Sequence, residues 1–439
     1  MEQVQVALLG LGTVGTGVWK MLVSNQDVIA RRTGRFFNIQ TILVRDLKKK
    51  RKVSGIEHLL TNDFEDVMKK DVQVIIEAMG GIEPARTYIK RAIEKGCHVI
   101  TANKELMAVH GVELERLAGQ NGVQLFYEAS VGGGIPVIGT LQHFLKANRI
   151  HKISGILNGT TNYILTQMDL YHRDFSEALK DAQEKGYAEA DPTADVEGHD
   201  PVRKLAILIR LVFDVHIPVE EIPCKGITDV TAAELQCARS LGYAVKLLAQ
   251  AEQYGENGPI SCSVHPTLLP LSHPLASVHD VYNAIHIEGD QIQDLTLVGQ
   301  GAGEQPTASA VVEDLCNLER LPSAKLLPSV EPLLFSAGEN SCTRFVFVQT
   351  DEPLSDRELP ALKDRWEALG VSLKQWHLSV ENGESRLGLL VTGWEKALEE
   401  VALSKLGAEI KRLVIRPVVT VNALSAGEEV KSEVGVVSN

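Results

Sequence analysis

The sequence predicts an α/β protein whose N-terminal third is a doubly wound parallel sheet. Three observations carry that prediction. Short β-branched apolar runs alternate with amphipathic segments over residues 1–140, a glycine-rich turn follows the first run, and later runs end in polar or charged clusters.

Residues 4–9, VQVALL, read as a buried strand stopped by glycine. GLGTVG follows, with Gly10, Gly12 and Gly15 in the G-x-G-x-x-G spacing, and then TGVWKMLV as a helix. Glycines there allow a tight turn, close approach of a pyrophosphate to backbone N–H groups, and close packing of helix on strand. Alone the pattern is weak and could be a structural turn. Between a strand and a helix it points to a Rossmann-type unit that holds a dinucleotide at Gly10, Gly12, Thr13, Val14 and Gly15.

The second strand, 37–44, ends at Arg45 where an NAD site would usually place a carboxylate. Arginine suits the 2′-phosphate of NADP, and the adjacent Asp46 suits the ribose of NAD. NADP is favoured, NAD stays open, and the plain alternative is an exposed charge at a strand end. Strand–loop–helix steps recur at 71–81, 97–105 and 121–141. Ligands of such sheets sit beyond the carboxyl ends of the strands, where Gly80, Thr101, Lys104 and the stretch 128–134 fall. Lys104 is placed where a nicotinamide would meet its substrate, although a lysine at such a junction is also a common solvated residue.

After residue 141 the pattern changes to a substrate or dimerisation unit spanning 141–320. HKISGILNGTTNYILTQMDL reads as strand, polar turn and helix, and the N-G-T-T-N run offers donors suited to a small carboxylate. Residues 186–204, GYAEADPTADVEGHDPVRK, gather five carboxylates, a histidine and a lysine ahead of the apolar helix LAILIRLVF. Asp200 before Pro201 reads as an N-cap, which puts Lys204 in the first helical turn, where the helix dipole would lower its pKa. A partly desolvated lysine there is a candidate proton donor; the bland reading is a lysine that snorkels to solvent. Strands are expected at 226–230 and in three later runs, with a single helix over TAAELQCARSLGYAVKLLAQA. Segment 299–320, with Gly301 and Gly303 before a helix, is expected to return to the cofactor. A linker at 321–340, a βαββαβ unit within 341–425 and a polar tail at 426–439 complete the chain.

Length 439 suggests about three domains, and the net charge of −13 argues against nucleic acid. Six cysteines without a C-x-x-C pair fit reduced thiols, the N-terminus lacks a signal-peptide core, and no apolar run is long enough to span a membrane. A cytoplasmic protein is expected.

The motifs GLGTVGTGV, EAMGG, TANKELMA, YEASVGGGIPV, GILNGTTNYIL and GYAEADPTADVEGHDPVRKLAIL, in this order over residues 4–320, resemble those of the homoserine dehydrogenase family. The resemblance implies reversible hydride transfer between L-homoserine and L-aspartate 4-semialdehyde with NAD or NADP. The alternative is a Rossmann reductase of another small amino-aldehyde; a silent nucleotide sensor would not need both lysines. Carried over, Lys204 and Lys104 are the catalytic lysines, and Glu189, Asp195, Asp200 and Thr160 line the substrate site. Gly80, Thr101 and Gly303 join the cofactor set, and Glu128, Val131, Gly133 and Ile135 form a sodium site. A homodimer or larger homo-oligomer is also implied. The C-terminal unit resembles an ACT module, yet DEPLSDRELP at 351–360 keeps Asp351 and Pro353 without the glycine of the effector loop. That loss counts against threonine binding and leaves assembly as the simpler role. With no aspartate-kinase segment before Gly10, a monofunctional chain is expected.

Overall fold

The computed structural model describes residues 1–255, 258–318, 343–354, 359–381, 383–404 and 409–419. The expected linker at 321–340 and tail at 426–439 lie outside these residues.

The first sheet contains β1 (Glu2–Leu9), β2 (Arg35–Leu43), β3 (Leu60–Thr61), β4 (Val74–Glu77), β5 (His98–Thr101) and β6 (Leu125–Phe126). Their order is β3-β2-β1-β4-β5-β6 and every pair is parallel, as the sequence predicts. Alternate residues feed two different cores. Val6, Leu8, Val74, Ile76 and Ile100 face one, and Ala7, Leu9, Ile75 and Val99 face the other. Burial on both faces is why these strands are continuously apolar. The strand order reverses between β1 and β4, so the crevice for a ligand opens at their carboxyl ends.

The second sheet is antiparallel, in the order β11-β10-β7-β8-β9. It comprises β7 (Ile150–Ile156), β8 (Tyr243–Gln253), β9 (Ile260–Pro270), β10 (Tyr282–Gly289) and β11 (Gln293–Gln300). Helices Gly159–Tyr171 and His199–Phe213 pack against it. Two expectations fail here. The long helix expected after residue 230 stops at Ser240; Gly242 turns the chain with φ 85° and the rest becomes β8. Residues 244–249 are buried in succession, and β8 pairs with β9 along its length and with β7 at 249–252, so burial overrides their helical propensity. Residues 226–230 form a turn rather than a strand. Helix Glu304–Cys316 returns to the first unit and lies along helix Thr13–Ser24. A Cβ at Gly17 would sit 2.5 Å from the carbonyl oxygen of Glu304, so only glycine allows this approach.

The third sheet, in the order β13-β14-β12-β15, contains β12 (Thr343–Thr350), β13 (Ser372–Glu381), β14 (Glu384–Thr392) and β15 (Ile410–Pro417). Helices Leu359–Glu367 and Glu399–Ser404 follow β12 and β14, giving the ferredoxin-like arrangement. Trp366, fully buried, packs edge-on against Trp394 at 5.3 Å between ring centroids.

Candidate active site

The glycine turn behaves as its spacing requires. Gly10 has φ 99°, and a Cβ there would lie 2.6 Å from the carbonyl oxygen of Ala78. Gly12 precedes helix Thr13–Ser24, whose start has no side-chain cap, and a Cβ on Gly12 would meet nothing within 4 Å. An uncapped helix start beneath open space is a site for an anion. Thr13 and Val14 form its first turn, and Gly15 is buried beneath it.

At the end of β2, Arg45 is exposed, and the Asp46 carboxylate accepts the Lys48 N–H at 2.8 Å. At the end of β4, Glu77 is fully buried and accepts from the Thr101 hydroxyl at 2.5 Å and from the N–H of Met79 and Gly80 at 2.7 and 3.2 Å. Burial raises its carboxyl pKa despite those donors. Asn103 caps helix Lys104–Asn121 and donates to the Gly81 carbonyl at 2.6 Å. These contacts tie the β4 and β5 exits together beneath Gly80, Thr101 and Lys104. Gly303, with φ 125°, precedes helix Glu304–Cys316.

The charged groups meet at Asp200. Its carboxylate is 3% exposed, and it is paired with Lys104 through one oxygen and with Lys204, at 2.7 Å, through the other. Lys204 is 6% exposed and also donates to the Leu157 carbonyl at 2.6 Å. The amide of Asn158 donates to Asp200 at 2.9 Å and to Asp195 at 2.7 Å, while its oxygen caps helix Gly159–Tyr171. Burial alone would raise the Asp200 pKa; Lys204 and then Lys104 hold it well below the usual carboxylate range. Burial lowers the pKa of Lys204, and Lys104 adds to that against the opposing pull of Asp200. Burial raises the pKa of Asp195.

The expectation for the helix start is corrected here. Gly198, with φ 87°, is the N-cap and His199 begins the helix, so Asp200 lies within the first turn and does not cap it. Lys204 therefore sits beyond the first turn, and desolvation rather than the dipole lowers its pKa. The spacing of four between Asp200 and Lys204 lets them pair along one helix face. Thr160 is buried and donates to the Tyr187 carbonyl at 2.7 Å; Glu189 stands exposed on the loop beyond.

Glu128 is buried, with its oxygens accepting the N–H of Ile138 at 2.8 Å and of Gly139 at 2.6 Å. Burial pushes its carboxyl up to about 7. Its own N–H donates to Asp314 at 3.0 Å, a buried carboxylate whose pKa is also raised by burial and by Glu128. Val131, Gly133 and Ile135 line the same buried turn. Glu77, Asn103 and Asp314 are not singled out by the sequence reading, whereas Asn158 opens the N-G-T-T-N run, where the alternative to a carboxylate site is an Asn that caps the next helix, as Asn158 does. Asp314 had a signal, since it sits at i+3 and i+4 from Val311 and Ala310 on a buried helix face.

Residues 10–128 match the homoserine dehydrogenase NAD-binding domain, and residues 136–316 match the homoserine dehydrogenase domain. Homoserine dehydrogenase of Bacillus subtilis is 46% identical over 316 residues, covering 72% of each chain. The chain belongs to the homoserine dehydrogenase family. It is an NAD(P)-dependent oxidoreductase of that family, with a nicotinamide-binding unit ahead of the substrate unit. The crystal structure of a homoserine dehydrogenase from Thiobacillus denitrificans superposes with a TM-score of 0.80 at 34% identity, covering 95% of this chain and 98% of that one. A hyperthermophilic archaeal homoserine dehydrogenase mutant in complex with NADPH is 26% identical with a TM-score of 0.61, over 74% of this chain and all of that one.

Proposed function

We propose that Lys204 and Lys104, held on Asp200, carry the proton chemistry of a homoserine dehydrogenase. The carrying observation is the Lys104–Asp200–Lys204 group, in which the buried Asp200 and Lys204 meet the half-exposed Lys104 and so join the β5 exit of the nucleotide unit to the substrate unit. When bound, the reduced nicotinamide supplies hydride to the aldehyde carbon of L-aspartate 4-semialdehyde. The carbonyl oxygen gains the electron pair and must gain a proton. Lys204 donates that proton from its ammonium, and the positive potential of the two lysines stabilises the oxyanion as it forms. In reverse, neutral Lys204 takes the hydroxyl proton of homoserine. Glu189 and Asp195 bind the substrate ammonium, Thr160 and its turn bind the carboxylate, and Asp200 aligns both lysines.

Gly10, Gly12, Thr13, Val14, Gly15, Gly80, Thr101 and Gly303 cradle the dinucleotide. Arg45 is exposed with no partner among the described residues, while Asp46 is engaged with its own loop, which supports NADP. For a sodium ion, the donor chemistry fits. Glu128 and Asp314 are buried carboxylates that no ion pair among the described residues reaches. Glu128 and the carbonyls of Val131, Gly133 and Ile135 would hold the ion, whose charge would fix this turn beside the cofactor. The five described cysteines stand outside any disulfide, which supports a cytoplasmic setting. Exposed Tyr282 and Val298, on β10 and the edge strand β11, support a homo-oligomer. The ferredoxin-like unit serves assembly.

The test is homoserine oxidation by wild type and Lys204→Ala with each cofactor. The variant is expected to lose about 10²–10⁴-fold in kcat, the range for removing a general acid or base, with NADP(H) binding unchanged. Full activity in the variant would return Lys204 to a structural role.

A further inference from the structure

The two lysines stand on different helices, Lys104–Asn121 and His199–Phe213, so something must fix those helices against each other. Arg203 and Glu105 approach only to 3.5 Å across the gap, with partly exposed side chains. Further along, the contact is of another kind. Arg210 is 8% exposed and donates to the Met107 carbonyl at 2.9 Å and to Glu115 at 3.2 Å. Its guanidinium lies 5.8 Å above the ring of Tyr127, whose hydroxyl donates to the same Glu115 oxygen at 2.5 Å.

Gly111 makes room for this group: a Cβ there would come within 2.6 Å of Nη2 and 2.7 Å of Cζ. Arg210 therefore sits in a notch cut into the first helix, on a helix face that any larger residue at 111 would close. It lies six residues beyond Lys204, about 9 Å along the axis, and Gly111 lies seven beyond Lys104, about 10 Å. Notch and lysine pair are thus in step on the two helices. A charge buried at such a contact has one rigid planar fork and three fixed partners, so it permits one register of the helices and penalises others.

We propose that Arg210 is a positioning residue, whose guanidinium in the Gly111 notch, locked by Glu115 and Tyr127, holds Lys104 in reach of Asp200 and Lys204. The inference rests on the assignment of the two lysines above. It predicts that disturbing the clamp separates the lysines without touching either substrate.

The experiment measures kcat and KM for semialdehyde reduction in Arg210→Ala, Arg210→Lys, Tyr127→Phe, Lys104→Ala and the Arg210→Ala/Lys104→Ala double variant, with thermal melts of each. Arg210→Ala is expected to lower kcat at least 10-fold while KM for NADPH stays within about 3-fold, because the dinucleotide turn is remote from the clamp. Once Lys104 is gone the clamp has nothing to position, so adding Arg210→Ala to Lys104→Ala should cost less than 2-fold more. Guanidinium ion added to Arg210→Ala should restore part of the lost kcat, which a general loss of stability would not show. If Arg210→Ala does not fold, Arg210→Lys and Tyr127→Phe carry the test, with lowered kcat and a near-native melt expected. Additive losses in the double variant, or normal kcat in folded clamp variants, would overturn the proposal. Lys204→Ala run alongside separates the two readings: an active Lys204→Ala removes the lysine assignment, whereas an inactive one with unaffected clamp variants removes the clamp alone.

Discussion

At the level of single residues, Lys204 and Asp200 set opposing demands. Burial lowers the lysine pKa and the neighbouring carboxylate raises it back in part. The sign of the pH response follows. Reduction of the semialdehyde needs the ammonium, so its kcat falls as pH rises through the Lys204 pKa. Oxidation of homoserine needs the neutral amine, so its kcat rises through the same pKa. Replacing Asp200 with asparagine removes the group that favours the charged form, and both inflections should move to lower pH. Rates measured against pH in both directions check this; an inflection that stays in place or moves upward would show that Asp200 does not tune Lys204. The lysine was legible in the sequence because it follows a carboxylate cluster into an apolar helix. The role of Asp200 was misread, because Asp-Pro is a strong local signal for a cap and the tertiary pull of two lysines cannot be seen locally. The bonds of Asn158 to Asp195 and Asp200 are hidden for the same reason, since these partners lie 37 and 42 residues away.

At the level of elements, the strand–turn–helix at the N-terminus was legible to within three residues at each boundary. Its geometry is set by local sterics, and glycine positions report those directly. Two glycines of one motif should nevertheless fail differently. A methyl at Gly15 would collide with the Gly10 carbonyl, so Gly15→Ala should destabilise the fold. At Gly12 a methyl meets open space, so Gly12→Ala should melt like wild type yet bind NADPH at least 10-fold more weakly, because it fills the approach to the helix N-terminus. Melting temperatures and fluorescence titration of NADPH distinguish the two. Strand β8 shows the opposite case. Its residues suit a helix by propensity, and only pairing with β7 and β9, from distant parts of the chain, makes it a strand.

At the level of the molecule, the three units are not merely strung together. Arg416 on β15 and Glu234 on helix Ala232–Ser240 are 1% and 0% exposed, and they pair at 2.7 and 3.2 Å although 182 residues separate them. Arg416 also reaches Asp229 at 3.1 Å, and Arg412 donates to the carbonyl of the same aspartate. The N–H of Val419 donates to the Leu268 carbonyl at 2.9 Å, so the end of the ferredoxin-like unit adds to the edge of the substrate sheet at β9. None of this was legible beforehand, since the two arginines and the lysine of IKRLVIRPVV read as a solvated face. The pair carries a cost of its own, because both charges are taken from water, and its attraction offsets that cost only while both partners remain. Glu234→Gln leaves a buried guanidinium with half its compensation, and a loss of about 3–5 kcal/mol is expected. That loss falls on the joint between units rather than inside either core. Wild type should therefore unfold in scanning calorimetry with the substrate and C-terminal units in one transition, and Glu234→Gln should split off an earlier one. Arg416→Met, which removes charge while keeping apolar bulk, strands Glu234 instead and should split the transition likewise. The double variant Glu234→Gln/Arg416→Met should recover part of the loss, because it leaves no uncompensated charge at the joint. A single unshifted transition in both single variants would mean that the two units hold together through their apolar contact alone.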